Sequence, residues 1–288
     1  MSATPISQVK LAEQSWHDKW YGENAKKEFP DRAADFREFF SRVQLTPFCD
    51  GGWAYWGDAR AEMLRMWGDV NGLSVLDYGC GSGQLGIYLA MLGAKVSGFD
   101  LSPLGVEVAN WAATKYGLSC SFEAMDAEEL SYPDQSFDLV VGFGVLHHVI
   151  KYPKSAYHLA RVLKPGGRAV FHETLWDNPL INLVRRWTTE DSDAGDAHLT
   201  ERSILKFGRP CARTEIHKRH IFYMLKRLAS LPQRDLSQQL RSRPFWKVVK
   251  TVDRGLMQLG LSRFCGEAIV VYSTHPTLGL MVNHGSSS

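Results

Sequence analysis

The stretch VLDYGCGSG at residues 75–83 decides the fold of this chain. The apolar run Leu73–Leu76 leads into glycines, which predicts a short buried parallel strand followed by a sharp turn. A helix pattern begins at once, with Leu85, Tyr88 and Leu89 on one face. Glycines in such a turn let a ligand approach the backbone without meeting a Cβ atom. The sequence therefore predicts a ligand site at the carboxyl end of this strand, where open α/β sheets bind ligands.

The glycine turn fits more than one kind of site. Residues 81–86 match the dinucleotide pattern G-x-G-x-x-G, but in that pattern the first glycine follows the strand directly, and Gly79 already holds that place. The spacing Asp77-x-Gly79-x-Gly81-x-Gly83 instead resembles the first motif of the class I S-adenosylmethionine (SAM) dependent methyltransferases. In that family the loop opens onto the methionine end of SAM. A tight strand-to-helix turn without a ligand is the alternative.

A carboxylate ends the next predicted strand. Ala94–Phe99 has the apolar character of a second strand, and Asp100 follows it. A carboxylate in this place can accept hydrogen bonds from both ribose hydroxyls of a nucleoside. Ser102 followed by Pro103 is also typical of a capped helix start. We expect both features, with Ser102 as the cap and Asp100 as the ribose ligand.

A second acid follows the third predicted strand. That strand is Cys120–Met125, and Asp126 and Ala127 come directly after it. The resemblance implies that Asp126 accepts a hydrogen bond from the adenine amino group, while the next backbone N–H meets a ring nitrogen. Taken by itself, Asp126 is also typical of a cap for the short turn Glu128–Leu130.

The fourth and fifth strands contain further phrases of the family. Phe137–Gly144 is predicted as the fourth strand, Pro153–Leu163 as a helix and Arg168–Glu173 as the fifth strand. The phrases FDLVV, VLHHV and LKPGG in this region resemble the fourth and fifth methyltransferase motifs. Because all the motifs occur in the right order between residues 73 and 173, the resemblance covers the whole of this region.

The resemblance implies an α/β fold. Its centre is a seven-stranded, mostly parallel Rossmann-like methyltransferase sheet with helices on both faces and an antiparallel last strand. Arg213–Phe222 and Gly266–Ser273 have strand patterns and would form an antiparallel last pair, which the nicotinamide-binding Rossmann sheet lacks. The expected organisation begins with an N-terminal helical lid (1–70) and a SAM-binding core (71–201). Residues 202–275 would add the C-terminal strands to the same domain, with a basic helical insert at about 223–262 as substrate cover, and residues 276–288 would form a flexible tail.

The resemblance also implies which residues bind the cofactor. It includes Tyr21, because residues 16–21 resemble the aromatic lid sequences that cover SAM and substrate in many small-molecule members. The other aromatic residues, between 53 and 67, are more typical of core packing. The implied cofactor-binding residues are Tyr21, Asp77, Gly79, Cys80, Gly81, Gly83, Asp100, Leu101, Asp126, Ala127, Gly142 and Phe143.

Three histidines and a glutamate follow the fourth and fifth strands. His147 and His148 come after strand four, and His172 and Glu173 end strand five, so all four are expected near the reaction cleft. His147, Glu173 and His148 are the candidate catalytic residues, as general bases for an acceptor that must lose a proton. As an alternative, the two adjacent histidines begin a helix and simply cap or fill it. Since the order of the four lacks the spacing of zinc motifs, we predict no metal site.

Composition bounds the class of protein. With 288 residues and 44% hydrophobic content, the chain can bury one substantial core. It has no apolar run of about 18 residues that would predict a spanning helix, and residues 1–10 lack an apolar signal core. Five cysteines are scattered without C-x-x-C spacing, which favours free thiols in a reducing compartment. We therefore expect a cytoplasmic protein.

A basic block follows the core. The net charge is only +2, but residues 202–254 contain 14 Lys or Arg and three acids. Large apolar residues are interspersed with these charges at amphipathic helix spacing. A solvated basic face is the simplest interpretation, and an anionic substrate or a membrane surface is the more specific one. Nucleic acid is not expected, because a pI near 8.2 falls short of a strongly basic domain.

The expected function is methyl transfer from SAM, leaving S-adenosylhomocysteine, to an oxygen, nitrogen or carbon atom of a small-molecule acceptor, such as an apolar anionic secondary metabolite or lipid-like compound. A nicotinamide-dependent oxidoreductase is one alternative, although no Tyr is followed four residues later by Lys, as the short-chain dehydrogenase pair requires. A SAM-binding protein without catalysis is the other. The intact set of Asp77, Gly79, Gly81, Asp100 and Asp126 disfavours loss of the cofactor.

Overall fold

The computed structural model describes residues 8–42, 57–178, 198–221 and 243–275. Within these residues seven strands form one sheet. In chain order the strands are β1 (Ser74–Tyr78), β2 (Lys95–Asp100), β3 (Ser121–Ala124), β4 (Phe137–Phe143), β5 (Leu163–Thr174), β6 (Arg213–Arg219) and β7 (Glu267–Ser273). The α-helices are α1 (Gln8–Asn24), α2 (Ala33–Arg42), α3 (Gly57–Trp67), α4 (Gln84–Met91), α5 (Pro103–Lys115), α6 (Leu146–Val149), α7 (Pro153–Val162), α8 (Glu201–Phe207) and α9 (Arg243–Gln258).

The strand order of the sheet confirms the predicted fold class. The order is β3-β2-β1-β4-β5-β7-β6. Neighbours among β1 to β5 pair in parallel, whereas β7 is inserted between β5 and β6 and pairs antiparallel with both. A nicotinamide-binding sheet continues instead with a parallel sixth strand, in the order 3-2-1-4-5-6. The antiparallel pair therefore separates this sheet from the dinucleotide type.

The hydrophobic core lies on both faces of the sheet. Side chains alternate along each strand, so Val75 and Val141 pack with α2 to α5 on one face, while Leu76 and Val140 pack with α6 to α8 on the other. Strands that are covered on both sides contain continuous apolar runs, as the sequence of β1 and β4 shows. Both layers of helices leave the carboxyl ends of β1, β2, β4 and β5 at one common edge.

Local predictions agree with the structure except at a few boundaries. The first four strands lie within two residues of the predicted bounds at each end, and the helix predicted as Pro153–Leu163 is α7. The LKPGG turn is included in β5: Leu163 pairs with Phe137 and Arg168 with Leu139, so the residues between them bulge out of register. Helix α9 is the part of the predicted insert that the structure describes, and it confirms that a helix precedes the last strand. Residues 222–242 lie outside the described residues, and the division into domains stays a prediction.

The predicted aromatic core is partly described. Met63 is fully buried and Trp67 is 2% exposed, as a core position requires. Trp53, Tyr55 and Trp56 lie outside the described residues. As for membranes, none of the helices in the described part of the chain combines the length and the apolar character that a span requires.

Candidate active site

The loop between β1 and α4 folds as its glycines predict. Gly79, Gly81 and Gly83 have φ angles of 66°, 51° and 80°, in the left-handed region that favours glycine. The Cys80 N–H donates to the Phe99 carbonyl at 2.8 Å, which ties the loop to the end of β2. A Cβ atom at Gly81 would collide with the hydroxyl of Tyr21. The loop therefore presents bare backbone to the lid helix α1.

Asp77 holds the start of helix α4. Its Oδ2 accepts a hydrogen bond from the Gly86 N–H at 2.8 Å, and the residue is 1% exposed. Burial raises the pKa of the Asp77 carboxyl to about 7, against the lowering effect of the Gly86 N–H, and the Asp100 charge raises it further. Asp77 thus shapes the glycine turn as well as lining the space beside it.

The raised pKa of Asp77 makes the stability of the fold depend on pH. The carboxyl titrates at 3.8 in the absence of perturbation and at about 7 in the folded chain, so the folded state binds its proton more tightly. Its contribution to the free energy of unfolding is therefore complete below pH 3.8 and is lost as the pH rises through about 7. Asp77→Asn, which keeps an acceptor and cannot ionise, should remove this slope in urea unfolding at several pH values. An identical slope in both proteins would contradict the assignment.

Asp100 links the glycine loop to helix α5. Its Oδ2 accepts from the Gly81 N–H at 2.8 Å and its Oδ1 from the Ser102 N–H at 2.9 Å. Ser102 Oγ in turn accepts from the Gly105 N–H at 3.0 Å, so Ser102 is the helix cap, as predicted. Burial raises the pKa of the Asp100 carboxyl, and the two backbone donors oppose that shift. Each carboxylate oxygen keeps a further lone pair for a ribose hydroxyl.

Asp126 has both a local and a distant partner. Its Oδ1 accepts from the Glu128 N–H at 2.9 Å, which is the cap expected of the residue by itself. Its Oδ2 accepts from Lys10 Nζ on α1 at 2.5 Å, and Lys10 also reaches Glu128 Oε2 at 2.8 Å. Burial alone would lower the pKa of Lys10, but the two carboxylates raise it overall. The acid implied for adenine binding is therefore neutralised by the lid.

Helix α1 covers the site with a polar stripe. Glu13, His17 and Tyr21 recur at four-residue spacing and line a common cavity, and Lys10 lines it as well. Asp18 also contacts the Ser102 hydroxyl. Sequence reasoning identified Tyr21 but missed Lys10, Glu13 and His17. The spacing of these residues is the signal that could have found them.

Most of the implied cofactor residues line two adjoining cavities. One, of about 110 Å³, is lined by Asp100, Leu101, Asp126 and Ala127; the other, of about 170 Å³, is lined by Asp77, Cys80 and Gly81. Tyr21, Gly79 and Phe143 line both. Because the Tyr21 hydroxyl lies directly over Gly81, a ligand that rests on the loop backbone requires the Tyr21 ring to move aside.

Two implied cofactor residues have a packing role. A Cβ atom at Gly83 would collide with Ala109, and one at Gly142 with Phe171 and Val145. Neither glycine is among the residues that line the two cavities. Their small size lets α5 and the turn after β4 approach the sheet closely, which supports the cavity walls from behind.

The candidate catalytic residues separate into different pairs. Glu173 is fully buried, and its Oε1 accepts from the Val145 and Leu146 N–H groups at 2.7 and 2.6 Å. Its Oε2 lies 2.9 Å from His147 Nδ1. His147 keeps 23% of its side chain exposed, whereas Glu173 has no exposed surface. The geometry therefore places Glu173 behind His147, as the residue that orients it.

The other two histidines have carboxylate partners of their own. His148 Nδ1 lies 2.8 Å from Glu13 Oε1 on α1, and this pair lies in the cavity wall. His172 is fully buried, with its Nε2 3.2 Å from Glu267 Oε2. His172 thus connects β5 to β7. The four residues that follow strands four and five do not form one cluster.

Comparison with known proteins identifies the region that contains this site. Residues 75–167 match a family model described as a methyltransferase domain. Among curated relatives, the ubiquinone biosynthesis O-methyltransferase of Chelativorans sp. (strain BNC1) is 36% identical over 129 residues, which cover 44% of this chain and 49% of the relative. The chain spans about half the length of the curated relatives it matches.

Solved structures extend the likeness of fold beyond the region that matches the family model. Magnesium protoporphyrin IX methyltransferase from Synechocystis PCC 6803, with bound SAH, is 18% identical with a TM-score of 0.53 and covers 92% of this chain and 99% of its own. The cyclase SpnF is also 18% identical, with a TM-score of 0.56, and covers 96% of this chain and 100% of its own. At this identity the likeness shows the fold alone, and the fold accommodates more than one chemistry.

The region that matches the family model contains most, but not all, of the candidate site. The glycine loop, Asp100, Asp126 and His147 lie within residues 75–167. Tyr21 on α1 and Glu173 on β5 lie outside it. The helix that covers the cavity and the glutamate that contacts His147 therefore come from parts of the chain that the family model does not cover.

A wide basic groove lies apart from this site. It has a volume of about 1200 Å³. The basic side chains that line it are Arg202, Lys206, Arg209, Lys218 and Arg263. Four of these five belong to the basic block at 202–254, and the acids Asp177 and Glu201 also line the groove. An anionic or membrane partner there stays a prediction.

Proposed function

We propose that this chain is a SAM-dependent methyltransferase that transfers a methyl group to an oxygen atom of a small-molecule acceptor. The observation that carries the proposal is the order of groups along two adjoining cavities. Gly81, Asp100 and the pair Asp126–Ala127 lie at the carboxyl ends of β1, β2 and β3, which are neighbours in the sheet, so they follow one another in the order of methionine, ribose and adenine. The match to the family model and the names of the curated relatives support the same chemistry and favour oxygen as the acceptor atom.

The chain's own contribution is mainly to bind and to align. When bound, the sulfonium of SAM supplies a methyl group that is already attached to a cationic leaving group. The residues of the glycine loop and Asp100 would hold the cofactor, while α1 covers the cavity and excludes water. A general base is useful only where the acceptor must lose a proton.

His147 follows β4 at the carboxyl edge of the sheet and is partly exposed, although the cavity itself is lined by the neighbouring His148. The Nδ1 of His147 is engaged by the buried Glu173, so Nε2 is the nitrogen left to face an acceptor. Glu173 also accepts from two backbone N–H groups at the start of α6, which fixes the carboxylate itself. We assign His147 as the general base and Glu173 as its positioning residue.

Replacing His147 should affect turnover more than binding. His147→Ala is expected to lower kcat by roughly a hundredfold, because positioned proton transfer typically contributes about 10²–10⁴. The affinity for S-adenosylhomocysteine, measured by calorimetry, should stay the same. His158→Ala, on the neighbouring helix α7, is the control and should retain full kcat. Equal kcat for wild type and His147→Ala would contradict the assignment.

The proposed function is tested with labelled cofactor. Purified protein is incubated with methyl-labelled SAM and a metabolite extract, and the labelled product is isolated and its new bond identified. A methyl ether or ester supports the proposal, and a methylated nitrogen or carbon corrects the acceptor atom. Stabilisation by S-adenosylhomocysteine without any labelled product would instead indicate a binding protein, and stabilisation by NADH alone would overturn the cofactor assignment.

A further inference from the structure

Three potential metal ligands meet between the lid helix and the core. Glu13 and His17 come from α1, and His148 comes from α6. One ligand atom of each lies within 4.8 Å of those of the other two. Zinc bonds to nitrogen and oxygen are about 2.0–2.2 Å long, so ligand atoms around one ion lie roughly 3–4 Å apart. Small side-chain adjustments therefore suffice to place all three around one ion.

The ligand types are those of a divalent transition metal. Two imidazoles and one carboxylate suit zinc, cobalt, nickel or iron better than the harder magnesium and calcium ions, which prefer oxygen ligands. Glu13 and His17 are four residues apart on a helix, which places both side chains on one face. Three protein ligands leave further coordination positions for water or another molecule.

The surroundings also fit an ion. Glu13 is 5% exposed, and all three residues line the cavity of about 110 Å³ that also contains the Asp100 carboxylate. That space is large enough for an ion and its water. Two lysines lie near the three residues: Lys151 Nζ is 4.0 Å from Glu13 Oε2 and its side chain is 24% exposed, and Lys10 lines the same cavity but is paired with Asp126 and Glu128. Glu13 Oε1 and His148 Nδ1 already lie 2.8 Å apart across the interface.

We propose that Glu13, His17 and His148 form a binding site for a divalent transition-metal ion of the zinc class, which fastens α1 to the core over the cofactor cavity. The sequence-based expectation of no metal concerned His147, His148, His172 and Glu173, and the set proposed here shares only His148 with those four residues. The new set depends on a contact between the N-terminal helix and the turn after β4. It does not depend on methyl transfer, so it can fail while the proposed function holds.

The test measures metal binding directly, on the full chain after removal of metals and without SAM. Titration with Zn²⁺ by calorimetry should give one ion per chain, and Co²⁺ should produce visible absorption bands of low-symmetry coordination. His17→Ala and His148→Ala should each weaken binding by at least about tenfold, since even changes to groups that support a ligand cost 10–100-fold. His217→Ala is the matched control, because His217 also lies beside a glutamate, Glu215, but is 40% exposed on β6.

The folding of each of these variants is also measured. Circular dichroism and the Tm without metal establish whether each variant is folded, and the added measurement is the rise in Tm that Zn²⁺ causes. Zn²⁺ should raise the Tm of wild type and His217→Ala but not of His148→Ala. Amide hydrogen exchange in residues 8–24 should slow when Zn²⁺ is added to wild type or His217→Ala, and should not change in His148→Ala. Unchanged zinc affinity in His148→Ala, or the absence of binding to wild type at micromolar Zn²⁺, would overturn the proposal.

Discussion

Replacing Gly81 with valine is expected to abolish the binding of S-adenosylhomocysteine, with a loss of at least about a hundredfold, or roughly 2.8 kcal/mol. Two physical effects combine at this position. The backbone φ of 51° is one that β-branched residues rarely adopt. The new side chain would also point at the Tyr21 hydroxyl and fill the space against which the methionine end of the cofactor is proposed to rest. Calorimetric titration with S-adenosylhomocysteine measures the effect.

Gly117→Val separates the backbone effect from the blocked site. Gly117 also has a positive φ, of 63°, but no atom lies within 4 Å of a Cβ placed there. Both variants should lose stability, because both force valine into the left-handed region. Only Gly81→Val should lose the ligand. Full affinity in a folded Gly81→Val protein would show that the glycine loop is not the floor of the cofactor site.

Replacing Asp100 with alanine is expected to weaken cofactor binding by about 1–3 kcal/mol, or roughly 5- to 150-fold. The carboxylate is proposed to accept from the ribose hydroxyls, and it already accepts from the Gly81 and Ser102 N–H groups. Its removal therefore takes away a ligand contact and also releases the glycine loop. Calorimetry on wild type and variant with S-adenosylhomocysteine measures the loss.

Asp69→Ala provides the matched comparison. Like Asp100, Asp69 accepts a hydrogen bond from the backbone N–H two residues ahead, here that of Asn71 at 3.0 Å. Asp69 is exposed, however, and it precedes β1, at the opposite edge of the sheet. Removal of this carboxylate should leave the affinity unchanged. If Asp100→Ala and Asp69→Ala bind S-adenosylhomocysteine equally well, Asp100 is a turn residue and not a cofactor ligand.

The fold was predictable because its signals are local. The β1 strand is an apolar run that ends in glycines, and Gly81 and Gly83 adopt the positive φ values that only glycine tolerates well. Asp100 and Ser102 divide the two roles expected of them, since a cap and a ligand can use neighbouring residues. Such features depend on residues a few positions apart, so the sequence displays them directly.

The pairing of charged residues was not predictable in the same way. Lys10 and Asp126 are 116 positions apart in the chain and are joined by a direct ion pair. Glu173 was expected to face the cleft, yet it is enclosed by the start of α6. There it accepts hydrogen bonds from two backbone N–H groups. Which polar groups are partners depends on how helices and strands pack, and a polar residue by itself does not reveal its partner.

The amino-acid sequence alone determined the order of the strands along the chain, the glycine loop and the acids at the ends of β2 and β3, because apolar periodicity and turn chemistry act over short distances. Only the tertiary structure decided that Glu13 and His17 of the first helix lie against His148, with Tyr21 over the backbone of Gly81. The physical reason is that a helix with a polar face is equally compatible with water and with a buried cavity. Packing of α1 across the carboxyl edge of the sheet chooses between them.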